Sequence, residues 1–75
     1  MMANAAIERI RAHLERNERI LGVDGFRAVP EGITAPIDLI LDLSAEGLSS
    51  SEAAAEAEAF VTKHAGHDVP FEIVA

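Results

Sequence analysis

The sequence predicts an α+β fold: a ferredoxin-like, split two-layer sandwich in which two helices lie on one face of a three-stranded sheet. The predicted order is helix, strand, strand, helix, strand. Three observations carry this. IDLILDL (37–43) alternates apolar and acidic or apolar residues with period two, as a strand with one buried and one wet face does. Ser49 with Glu52 three residues on makes a capping box, and Gly66 stands where a helix would stop. Ile7, Ile10 and Leu14 recur at three- and four-residue intervals, the spacing of one helical face.

The first helix is expected over residues 4–18, with Asn4 as N-cap and Ala3 and Ala6 beside the apolar stripe. Glu8, Arg9, Glu15 and Arg16 form its wet face, and Glu15 with Arg19 has the favourable acid-first spacing of four. Residues 20–29, ILGVDGFRAV, read as the first strand, bent or bulged at Gly22 and Gly25. PEGITAP (30–36) reads as a loop between two prolines that closes a hairpin. In the second strand Ile37, Leu39, Leu41 and Leu43 should point inward, and Asp38, Ile40 and Asp42 outward.

The second helix is expected from about 50 to 65, with Ala53, Ala57, Phe60 and Val61 as its core stripe. Its small residues let it lie close on a sheet. VPFEIVA (69–75) should be the third strand, with Val69, Phe71 and Ile73 inward and Glu72 outward. Pro70 marks it as an edge. If the second and third strands are parallel, the helix between them is a right-handed crossover. All 75 residues form one domain, with residues 1–3 expected outside its ordered part.

Composition narrows the function. Thirteen acids against six bases give a net charge of −7, and Glu8, Glu15 and Glu18 interleave with the N-terminal arginines. Nucleic acid is therefore excluded as an expected partner, because phosphate recognition needs concentrated Lys and Arg. The absence of cysteine removes disulfides, thiolate zinc sites and iron–sulfur ligation. No apolar run reaches the ~20 residues of a membrane span, and the N-terminus lacks a signal-peptide core, so a cytoplasmic protein is expected. A chain this short buries only ~60% of its unfolded surface. Without disulfides, the support to expect is oligomerisation, as a homodimer through a sheet edge or a sheet face.

Two constellations could carry chemistry. His64, His67 and Asp68 in HAGHD, with Glu72 beyond them, offer imidazole and carboxylate ligands for a divalent metal. The competing account places His64 in the last helical turn, where the dipole favours a cation, and leaves His67 in a loop. Gly66 between the histidines breaks the helical face that a spacing of three would need. Asp38, Asp42 and Glu72 would share the wet sheet face if their strands were neighbours, but no concave pocket is expected to desolvate them for acid–base work. Ser49, Ser50 and Ser51 lack a nucleophile-elbow context and serve the helix start. No glycine pattern matches a phosphate-binding loop. No enzyme activity and no cofactor are expected.

From Ile7 to Val74 the chain resembles the cytoplasmic dimerisation domain of cation diffusion facilitator transporters. The resemblance lies in ILGVDGFR, the Gly32 turn, IDLILDLS, LSSSEA and the closing VPFEIVA, all fold-setting positions. It implies a dimerising, metal-sensing module. The family's Ala-His pair at the start of the second helix is here Ala53 and Ala54, and a His in its closing strand is here Glu72, so most of its ligand positions are lost. The element order is also similar to the iron–sulfur scaffold domain related to the nitrogen-fixation U protein, whose CxxC is absent here. The expected function is a non-catalytic interaction and dimerisation module with an accessory or regulatory role; the alternative is a divalent-metal-binding protein.

Overall fold

The computed structural model describes residues 1–66 and 68–75. Its elements are α1 (Ala3–Glu15), β1 (Gly22–Gly25), β2 (Arg27–Val29), β3 (Gly32–Thr34), a 3-10 turn (Ile37–Leu39), β4 (Ile40–Asp42), α2 (Ser50–His64) and β5 (Phe71–Val74). The fold is α+β, as the alternation and capping signals imply. β1 is the middle strand of a sheet ordered β4-β1-β5, antiparallel to both neighbours. β4 and β5 therefore run parallel to each other with β1 between them, joined through α2. β2 and β3 form a separate two-stranded hairpin.

Both helices pack on one sheet face. Ala6 and Ile10 of α1, Ala53, Ala54, Ala57 and Val61 of α2, and Ile20, Val23, Leu43 and Phe71 are all buried in one cluster. The alanines of α2 are packing residues, as their spacing suggests: a methyl group lets the helix backbone approach its neighbours closely. Arg11 of α1 donates to Glu58 of α2 at 3.0 Å across the helix pair.

The helix ends differ from expectation in instructive ways. α1 stops at Glu15 rather than continuing to residue 18, because Asn17 adopts a left-handed φ of 56°. The Asn17 N–H then donates to the Leu14 carbonyl and the Glu18 N–H to the His13 carbonyl, each at 2.9 Å. That is a Schellman motif closed by Asn in place of Gly. Arg19, outside the helix, pairs not with Glu15 but with the Glu46 carbonyl at 2.9 Å. Asn4 lies inside the first turn, and Met2 takes the N-cap position without a side-chain bond. The capping box at Ser49 and Glu52 forms in full. At the other end α2 stops because Ala65 turns extended, at φ −60° and ψ 132°, and not through a left-handed Gly66.

The region 20–43 departs most. The expected first strand is cut at Phe26, so Gly22–Gly25 joins the main sheet and Arg27–Val29 leaves it. The expected loop contains β3, paired to β2 around a two-residue turn at Pro30 and Glu31. Gly32, at φ 140°, sits where a side chain would be strained. Ile37 is 89% exposed rather than inward, because Pro36 precedes a 3-10 turn, and the strand begins only at Ile40. Leu39 and Leu43 are buried as expected, and Leu41 is half-buried.

Candidate interaction surface

The sheet leaves one face uncovered. Pairing puts Asp42, Gly22 and Val74 in one row, Leu41, Val23 and Ile73 in the next, and Ile40, Asp24 and Glu72 in the third. Side chains alternate across a strand, and Val23 is fully buried. The first and third rows therefore face away from the helices. This outer face mixes two exposed apolar side chains, Ile40 and Val74, with Asp24, Asp42 and Glu72.

Gly22 shapes that face. With no side chain there, a shallow depression of about 340 Å³ opens over it, bounded by Leu21, Asp24, Ile40, Asp42, Ser44 and Val74. A Cβ on Gly22 would stand 2.7 Å from the Leu41 carbonyl oxygen, so the strand pair is as close as glycine permits. The wet face thus has the concavity that alternation alone does not foretell. Asp42 borders it with its carboxylate fixed: the Ser44 hydroxyl donates at 2.6 Å and the Ser44 N–H at 2.9 Å. Those two bonds hold the Asp42 carboxyl below its ordinary pKa, the side-chain bond more than the backbone one.

The three acids suggested by the sequence do not assemble. Asp38 lies in the 3-10 turn, 3.7 Å from the Arg27 guanidinium. Asp42 and Glu72 share the outer face but are separated by β1. The carboxylate nearest Glu72 in register is Asp24, its direct cross-strand partner, which period-two reading of β4 could not supply. Of the suggested metal ligands, His64, Asp68 and Glu72 are among the described residues, and those three form no group that could hold an ion. His64 ends α2, its ring 4.6 Å from that of Phe60. Asp68 is exposed, at φ 63°, and Glu72 faces away from the helix layer that carries His64. His67 lies outside the described residues. Among the described residues, no three His, Asp or Glu side chains are grouped to hold a metal ion.

A second apolar surface surrounds the β2–β3 hairpin. Every hairpin strand residue is exposed except half-buried Val29, and Ile33 is 75% exposed. The hairpin touches little outside itself. Beside it a depression of about 280 Å³ is lined by Met2, Phe26, Ala28, Ile33, Asp68 and Pro70, with Arg27 at its rim. Exposed Ile33 and Ile37 were not identifiable from sequence as surface residues. The usable signal is PEG, a two-residue turn bounded by a glycine, which makes GIT a strand instead of a loop.

No helix among the described residues is long and apolar enough to cross a membrane. Neither a family model, nor a curated protein, nor a solved structure matches this chain.

Proposed function

We propose that this protein is a small cytoplasmic interaction module, non-catalytic, whose accessory or regulatory role is exercised as a homodimer. The observation that carries this reading is the apolar surface left outside a thin core. Ile33, Ile37, Ile40 and Val74 are exposed on a hairpin, a turn and a sheet face that none of the described residues covers. Monomeric domains keep such patches small, and large ones mark interaction sites. The likeness to the dimerisation domain of cation diffusion facilitator transporters points the same way.

The mixed sheet face fits recognition better than catalysis. Its depression is open, Asp42 and Glu72 are exposed, and Asp24 is half-buried. General acid–base work uses carboxyl groups placed together and tuned by burial. Sedimentation velocity across micromolar concentrations tests the proposal: a dimer of twice the 8.0 kDa chain mass is expected. A single monomeric species throughout that range would overturn it.

A further inference from the structure

We infer that the edge of β3 is the surface through which two copies of this chain join, pairing as antiparallel strands about a two-fold axis at Ile33. The inference rests on the homodimer proposed above and names its interface. Register fixes which groups are available. Val29 pairs with Gly32 across the two-residue turn and Arg27 pairs with Thr34, so Ala28 and Ile33 form the intervening pair. In an antiparallel ladder, alternate residues bond to the neighbour and the others aim N–H and C=O away. A two-residue turn is closed by a hydrogen-bonded pair. Ile33 therefore presents its backbone donor and acceptor to the open edge.

The other edges carry a charge within the strand itself, and this one does not, although Glu31 precedes it and Pro36 follows it by two residues. Proteins blunt exposed edges with charges, prolines or a covering segment. β4 is flanked by Asp38 and carries Asp42. β5 follows Pro70, carries Glu72, and already has Met1 against it: the Met1 ammonium donates to the Phe71 carbonyl at 2.7 Å and the Phe71 N–H donates to the Met1 carbonyl. β2 carries Arg27. β3 is Gly32, Ile33 and Thr34, with no charge and no proline. A second copy stacked on the uncovered face of the main sheet would bring together two faces that each carry Asp24, Asp42 and Glu72. Like charges juxtaposed across an interface are costly.

A second copy also supplies what the hairpin lacks. An isolated two-stranded hairpin is at best marginally stable in water, and three or more strands with an apolar face are needed. Pairing at β3 makes four strands, and places Ala28 and Ile33 of one copy in line with Ile33 and Ala28 of the other. That stripe joins the two depressions lined by Phe26, Met2 and Pro70.

Four proteins test the assignment by sedimentation and non-reducing electrophoresis. Wild type should be a dimer, and I33K a monomer with unchanged helical circular dichroism, since the new charges would meet on the two-fold axis. The chain has no cysteine, so in I33C oxidation can form only the symmetric disulfide. A hydrogen-bonded strand pair sets the Cα atoms about 5.5 Å apart, inside the range a disulfide spans. Rapid cross-linking of I33C is expected, and at least tenfold slower cross-linking of the equally cysteine-free background carrying I40C. A dimeric I33K, or I33C that links no faster than I40C, would overturn the β3 edge while leaving the homodimer standing. A monomeric wild type removes both.

Discussion

Gly22 is the residue on which the sheet is most finely set. Its missing side chain lets β4 close on β1 and opens the depression on the outer face. Gly22→Ala would drive a methyl group against the Leu41 carbonyl. Overpacking of this kind costs about 1–3 kcal/mol, and the loss should appear as a lower urea midpoint with an unchanged slope. A stability equal to wild type would show that β1 and β4 can separate locally. Asp24 and Glu72 illustrate a weaker effect at the same scale. They are direct cross-strand neighbours of like charge, an unfavourable pairing. Glu72→Lys should therefore raise stability by about 0.2–1 kcal/mol at neutral pH, with the gain shrinking in high salt. No gain at low salt would contradict the register.

At the scale of elements, α2 begins on a reciprocal pair of bonds. Glu52 N–H donates to the Ser49 hydroxyl at 3.1 Å, and Ser49 N–H donates to the Glu52 carboxylate at 3.0 Å. The backbone bond from Ser49, then its side-chain bond, holds the Glu52 carboxyl below its ordinary pKa. A lowered folded-state pKa stabilises the fold above the unfolded-state value, and that contribution is lost as pH falls through the folded-state one. Glu52→Gln should thus flatten the acid side of the stability profile below the ordinary glutamate range and leave its alkaline side alone. Ser49→Ala should cost about 1 kcal/mol. An acid limb identical to wild type in Glu52→Gln would place the sensitivity elsewhere, with Asp42 and Glu18 the remaining carboxyls held low by hydrogen bonds, from Ser44 and from His13 and Arg16.

Element types were legible where one signal dominated. The capping box announces α2, and the spacing of Ile7, Ile10 and Leu14 announces α1. β5 reads as an edge from Pro70. Boundaries were not legible where a backbone angle decides them. Asn17 was a usable stop signal, since Asn tolerates the left-handed position past a helix end, but nothing in the sequence says that it will turn left-handed while Gly66 will not. Ile37 and Ile33 misled because period-two alternation cannot distinguish a strand from a 3-10 turn entered through Pro36, or a loop from a three-residue strand. The site was less legible still. Which carboxylates share a face depends on β1 lying between β4 and β5, a fact of topology rather than of any local pattern.

For the whole molecule, Phe71 is the largest fully buried side chain. It opens the edge strand β5 and pairs with Gly25, where a Cβ would stand 3.0 Å from the Leu39 Cβ and 3.4 Å from the Phe71 ring. Phe71→Ala should cost about 3–5 kcal/mol, a large part of the 5–15 kcal/mol typical of a domain. The variant should be largely unfolded at 37 °C by circular dichroism; a loss under 1 kcal/mol would mean the core can collapse around the gap. The proposed dimer would make stability depend on concentration, so these variants are best compared at one protein concentration.

The position of β1 has a consequence for how the chain is made. Its partners leave the ribosome in sequence: β4 some fifteen residues after it, and β5 only when residues 71–74 are free. Until then one whole side of β1 is an unsatisfied edge, and Val23 lacks its cross-strand partner Ile73. Nascent chains halted within α2 should therefore remain protease-sensitive, and protection should come abruptly once β5 clears the exit tunnel, because closing a contact this distant in sequence is the slow step.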